Sequence, residues 1–115
     1  MKMITIETDG KCNLIDKDWS LVNYNAFVDG WIESLTFPNG CSLIINSEGK
    51  LIGFDINTRA SLLSEYFFSP DSFDDYIAGN AVLVGPTDSN GNTTSVTEDV
   101  IQFFINMKWL ENDGL

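Results

Sequence analysis

The sequence contains no histidine, and this absence excludes several kinds of chemistry at once. Without histidine there is no Ser-His-Asp triad, and the most common general base and zinc ligand are both missing. The two cysteines, Cys12 and Cys41, are spaced unlike a metal cluster. The adjacent carboxylates of Asp74-Asp75 and Glu98-Asp99 point apart in regular structure, and they match no calcium-loop spacing. We therefore predict a non-enzyme with no cofactor, no metal and no catalytic residues, and keep a small hydrolase as an alternative.

Long apolar runs are also missing. No window approaches the roughly 18 apolar residues that a membrane span needs, and the first residues lack the apolar core of a secretory leader. A chain with so few cysteines is typical of a reducing compartment, where the thiols stay free. We expect a cytoplasmic protein with no membrane partner.

Basic residues are scarce, with six lysines and arginines against 17 acidic residues and a net charge of −11. Such a charge repels phosphate backbones over long range, which disfavours direct nucleic-acid binding. A DNA mimic that inhibits a host nucleic-acid-binding protein is an alternative. It would need carboxylates spaced like phosphates, whereas the acids here are scattered over turns.

The 115 residues, of which 43% are hydrophobic, are enough for one compact α+β domain spanning 1–115. Alternating segments joined by glycine-closed turns predict an antiparallel β-sheet meander, with two to three helices covering its apolar face. An apolar run over 78–85 predicts a further strand, and 92–96 an edge strand beside it.

Three hairpins are expected. A three-residue loop after Glu7 sets Ile6 opposite Cys12, whereas a two-residue loop would set it opposite Asn13, a poorer match. Pro38-Asn39-Gly40 predicts a turn that sets Phe37 against Cys41. Ser47-Glu48-Gly49 predicts another, after which 50–54 would return as the third strand of the meander.

Capping residues and helix-ending residues predict where the helices begin and end. Asp16 or Asp18 is the expected cap of a helix that reaches Val28, and Asn57 is the expected cap of the next one. Ser69-Pro70 should stop that helix before an acidic surface loop over 69–76. Thr97 should begin the last helix.

The last helix carries two apolar stripes. One stripe faces the core. The other, formed by Ile101, Ile105 and Trp109 at four-residue spacing, suits either a helix held between two layers or an interface with another subunit of a homo-oligomer or with a host protein.

The stretch over 46–60 is the candidate ligand site. Lys50 and Arg59 near a helix N-terminus make an arrangement that favours a small anionic ligand. The alternative is a plain hairpin–helix junction, in which Arg59 pairs with Asp55 or Glu33. The candidate ligand-binding residues are Asn46, Glu48, Lys50, Asn57 and Arg59.

Four motifs in a fixed order resemble a small family of phage and mobile-element proteins known only as domain of unknown function 3846. The resemblance covers residues 27–86, leaving out the first strand pair and the last helix, and the segment over 69–76 is longer than expected. The matching residues are Gly30, Trp31, Ile32, Glu33, Asn46, Glu48, Gly49, Lys50, Leu51, Asn57, Arg59, Ala60, Ile77 and Gly79.

The resemblance implies a viral or mobile-element origin and transfers no catalytic residue. By association it implies an accessory protein that binds a host component in the bacterial cytoplasm. Two counter-defence roles follow as hypotheses. The protein would either inhibit a host protein or, as a homo-oligomer, sequester an anionic signalling ligand between Lys50 and Arg59 of neighbouring subunits.

Overall fold

A computed structural model describes residues 1–68 and 75–112, which form a five-stranded antiparallel sheet and four helices. Along the sheet the strands lie in the order β2-β1-β5-β4-β3. The α+β prediction with an antiparallel sheet is confirmed. The elements are β1 (Lys2–Ile6), β2 (Cys12–Asp16), α1 (Leu21–Val28), β3 (Ile32–Thr36), β4 (Ser42–Asn46), α2 (Gly49–Ile52), α3 (Thr58–Phe68), β5 (Ala81–Val84) and α4 (Glu98–Met107).

Two of the three predicted hairpins are confirmed together with their registers. Ile6 lies opposite Cys12, and the Glu7 amide donates to the Lys11 carbonyl at 2.9 Å. In the second hairpin the Phe37 amide donates to the Cys41 carbonyl at 2.8 Å. Apolar matching across a short loop was therefore sufficient to fix both registers.

The prediction of the third hairpin is wrong, because Gly49–Ile52 is a short helix and not the start of a returning strand. The edge of β4 that this strand would have used is taken by β5, with Leu43 opposite Leu83. Gly49 packs so closely that a Cβ there would lie 2.5 Å from the Ala78 carbonyl oxygen. The meander therefore stops at β4. The predicted edge strand over 92–96 is also reduced to an isolated bridge between Thr87 and Thr93.

The caps were predicted with mixed success. Asp16 and Asp18 do not cap α1, because both accept hydrogen bonds from the N-terminal amine. Ser20 precedes the helix instead, and its amide donates to Asn23 Oδ1 at 2.9 Å. Asn57 does cap α3, since its Oδ1 accepts from the Ala60 amide at 3.1 Å. Thr97 precedes α4 as expected. The stop at 69–70 and the loop over 71–74 lie outside the described residues.

Both faces of the sheet are covered. On one face, buried side chains of β1, β4 and β5 pack with Leu63 of α3 and Phe104 of α4. On the other, Met3, Ile44 and Val82 pack against aromatic residues of α1. All of β5 is buried, as expected for the central strand of a layered fold.

Candidate functional site

The apolar stripe predicted on α4 is not an exposed surface. Ile101 is 7% exposed and Trp109 is 8% exposed, whereas Ile105 is 43% exposed. The prediction assumed that the helix continues through residue 109, but α4 ends at Met107 and Lys108 turns the chain with a φ of 59°. Trp109 is thereby brought against the ring of Phe104, 5.6 Å away. A homo-oligomer through this helix stays a prediction, with Ile105 as its one exposed member of the three.

The two asparagines of the candidate site are buried and bonded to the backbone. Asn46 Nδ2 donates to the carbonyls of Val28 and Asp29, and its Oδ1 accepts from the Glu48 amide. Asn57 Nδ2 donates to the carbonyls of Ile6 and Gly79. These amides hold the ends of strands and helices together, and their polar atoms face protein backbone.

Arg59 lies away from Lys50 and pairs with neither Asp55 nor Glu33. Its Nη1 donates to the carbonyl of Gly10, in the β1–β2 turn, and to that of Trp109 at 3.3 Å. Its guanidinium also lies over the Trp109 ring, 5.3 Å from the centroid. The structure therefore does not bring the two basic residues together within one chain.

A cleft of about 320 Å³ lies beside α2, and we call it the α2 cleft. Its walls come from β3, β4, α2 and residues 75–78, with Leu35, Ile45 and Ile77 among the apolar ones. Three carboxylates (Glu33, Glu48 and Asp75) and one ammonium (Lys50) line it. Exposed Leu51 and Tyr76 and the buried Asn46 also line it.

Within the α2 cleft an ammonium group is held between a carboxylate and an aromatic ring. Lys50 Nζ forms an ion pair with Asp75 and lies 4.7 Å from the centroid of the Tyr76 ring. The Lys50 hydrogen bond, aided by the Tyr76 amide, lowers the pKa of the Asp75 carboxyl below its usual value. Asp75 is therefore ionised at neutral pH, and together with Tyr76 it makes a site whose chemistry suits a cation.

Of the five predicted ligand-binding residues, Asn46, Glu48 and Lys50 line the cleft. Sequence reasoning missed Asp75, Tyr76 and Glu33 as members of the site. Asp75 and Tyr76 come from the segment predicted only as an acidic surface loop. Their meeting with Lys50 depends on β5 lying next to β4, a pairing between distant parts of the chain. The one signal for this site in the sequence was an aromatic residue, Tyr76, directly after a run of acidic residues.

Within residues 1–68 and 75–112, no three side chains of His, Cys, Asp or Glu are arranged so that they could hold a metal ion, and the three carboxylates of the cleft are no exception. Cys12 and Cys41 are free and buried. No helix in that part of the chain is long and apolar enough to cross a membrane.

The chain belongs to the family described as Domain of unknown function (DUF3846), whose profile matches residues 1–108. The match extends beyond residues 27–86 and includes the first hairpin and α4. No curated protein and no solved structure matches the chain.

Proposed function

We propose that this DUF3846 member is a non-catalytic binding protein whose α2 cleft holds a basic side chain of a host protein. We further propose that it is an accessory protein of a phage or mobile element that acts in the bacterial cytoplasm, where it inhibits that host protein as a counter-defence. The observation that carries the proposal is the Lys50 ammonium held between Asp75 and Tyr76.

Lys50 occupies the site as a cation that a partner's arginine is well suited to replace. The side chains of Lys50 and Asp75 are 41% and 54% exposed, so their ion pair contributes at most about 1 kcal/mol. An arginine can form two parallel hydrogen bonds to the Asp75 carboxylate while its plane stacks on Tyr76. The exchange therefore costs little and gains a stronger hydrogen-bonding geometry.

The charge of the chain supports a basic partner over an anionic ligand. Three carboxylates against one ammonium make the cleft repulsive to a phosphate or carboxylate. The net charge of −11 accelerates encounters with a positively charged surface at low salt.

The test is a titration of the protein, followed by NMR of the Tyr76 amide, with Nα-acetyl-arginine amide and with its uncharged analogue Nα-acetyl-citrulline amide. We expect the arginine compound alone to shift the Tyr76 signal, and Asp75→Asn to abolish the shift. Glu65→Gln is the matched control, because it removes one exposed carboxylate of α3 outside the cleft. Equal shifts with citrulline, or an equal loss in Glu65→Gln, would contradict the proposal.

A second test uses a bacterial lysate. A host protein bound through the cleft should be retained by the wild type and by Glu65→Gln, and should be lost with Asp75→Asn. Retention by all three variants would contradict binding through the cleft.

A further inference from the structure

The outer edge of β3 presents unpaired backbone groups. The Phe37 amide donates to the Cys41 carbonyl, and the Ser47 amide donates to the Trp31 carbonyl at 2.9 Å, so the odd-numbered residues bond β4. Alternate residues of a strand direct their backbone groups to opposite sides. The N–H and C=O groups of Ile32, Ser34 and Thr36 therefore point away from the sheet. Across residues 1–68 and 75–112, the sheet continues from β3 on the β4 side alone.

In the part of the chain that the structure describes, this edge has little of the usual protection against pairing with another chain. Edge strands are commonly blocked by lysine, proline or a bulge, or covered by another segment. The sequence of β3, IESLT, has neither lysine nor proline, and Glu33, Ser34 and Thr36 are all exposed. Glu33 is its single charge.

The same edge borders the α2 cleft. Glu33 and Leu35 line the cleft and lie on one face of β3, because side chains alternate along a strand. A strand added at this edge would lie about 4.8 Å from β3, with every second side chain on the same face as Glu33. Such a side chain would reach into the cleft beside Glu33.

We infer that β3 pairs with an extended, basic segment of the partner protein, which adds a sixth strand and places an arginine or lysine in the α2 cleft. This inference rests on the proposed function and specifies its binding mode. Charge complementarity selects the occupant, since both the whole chain and the cleft carry excess negative charge. A second copy would bring another −11 to the same edge.

The test uses a fluorescein-labelled seven-residue peptide in which arginine alternates with valine, and measures binding by anisotropy. The control peptide is methylated at the valine nitrogens, which keeps the charges and removes those hydrogen-bond donors. Ser34→Pro removes the outward N–H of β3, and proline is tolerated where an edge N–H faces solvent. Ser34→Thr retains that N–H and is the matched control.

We expect Ser34→Pro to weaken binding about tenfold, as the loss of one net hydrogen bond predicts. The methylated peptide should bind at least tenfold more weakly, because it loses the donor of every valine. Ser34→Thr should bind within about twofold of the wild type, since it keeps every backbone group. The bound peptide should also slow hydrogen exchange at the Ser34 amide.

Equal binding by Ser34→Pro or by the methylated peptide would overturn the strand addition. If Asp75→Asn still abolished binding in that case, the cleft proposal would stand alone. Equal binding by Asp75→Asn and the wild type would instead overturn the cleft proposal, and slower exchange at Ser34 would then still support the added strand. A dimer that forms without peptide and is lost in Ser34→Pro would overturn the choice of partner in favour of a second copy.

Discussion

The two edge strands of the sheet, β2 and β3, differ in whether another segment of the chain lies alongside them. At β2, the C-terminal segment runs alongside the strand, and the Glu111 amide donates to the Cys12 carbonyl at 2.8 Å. The side chain of Asn112 both accepts from the Leu14 amide and donates to the Leu14 carbonyl. At β3, the described residues place no segment alongside. Since unprotected edges promote association, the strand addition that we propose uses the edge that the described residues leave open and not the one that they close.

Closing the β2 edge depends on residues far apart in sequence. Arg59 of α3 donates to the Gly10 carbonyl in the β1–β2 turn and to the Trp109 carbonyl just before the closing segment. Arg59 thus ties the first hairpin to the C-terminal segment. The contacts of Arg59 join distant parts of the fold, whereas Lys50 lies in an accessible cleft.

The largest expected change in the free energy of unfolding comes from a proline placed inside the sheet. A proline placed at the open β3 edge is its comparison. Ser42 of β4 faces β5, and Ser42→Pro should lower the free energy of unfolding by about 3 kcal/mol through a lost ladder hydrogen bond and steric conflict. Ser34→Pro should change it by less than about 0.5 kcal/mol, because its N–H faces solvent. Urea unfolding measures both. Ser42→Ala controls for the hydroxyl that bonds Thr36. Similar losses for the two prolines would mean that the β3 edge is already paired.

Removing Arg59 should open the closed edge. Arg59→Ala loses two hydrogen bonds to carbonyls and the contact with the Trp109 ring, so the free energy of unfolding should fall by about 2 kcal/mol. Lys50→Ala removes the same charge from an exposed ion pair and should cost less than about 1 kcal/mol. Urea unfolding at equal m-values tests the difference. If Lys50→Ala lowered the free energy of unfolding more than Arg59→Ala does, the account of Arg59 as the residue that ties the closed edge together would be contradicted.

Asn112→Ala should loosen the closed edge by a smaller amount. It leaves the Leu14 amide and carbonyl without their side-chain partner, at a cost of about 1 kcal/mol. Exchange at the Leu14 amide should become faster. The control is Asn106→Ala, because Asn106 is an exposed asparagine of α4 that bonds only the side chain of Gln102. If the Leu14 amide exchanged equally fast in both variants, the C-terminal segment would not be what closes β2.

The smallest expected effect is the pH dependence of the Lys50–Asp75 ion pair, in the α2 cleft beside the open β3 edge. Lys50 lowers the pKa of Asp75 from the ordinary value of 3.8, so the pair stabilises the folded state above that value. This stabilisation is lost as pH falls through the lowered pKa, and it is small because both side chains are largely exposed. In Lys50→Met, NMR titration should show the Asp75 pKa returning towards 3.8. An unchanged value would exclude Lys50 as the main cause.

Local signals predicted the parts of this fold that depend on neighbouring residues. Both hairpin registers followed from apolar matching across short loops, and the cap at Asn57 followed from its position before a helical pattern. The helix over 49–52 was missed because Ser47-Glu48-Gly49 also suits a hairpin loop. What excludes the hairpin is β5, which begins about thirty residues later in the chain and takes the place beside β4.

The candidate site was predictable only in part, for the same reason. Asn46, Glu48 and Lys50 do line the cleft, but the side chains of Asn46 and Asn57 are bonded to distant carbonyls that no local pattern reveals. The partners of Arg59 lie 49 and 50 residues away. Long-range pairing decides which polar side chains are available to a ligand and which support the fold.

Hydrogen exchange at the Ser34 and Leu14 amides tests the central claim most directly, because the two groups occupy equivalent outward positions on the two edge strands. We predict fast exchange at Ser34 and slow exchange at Leu14 in the free protein, and we predict that the arginine–valine peptide slows exchange at Ser34 alone. Slow exchange at Ser34 in dilute, peptide-free protein would contradict an open β3 edge.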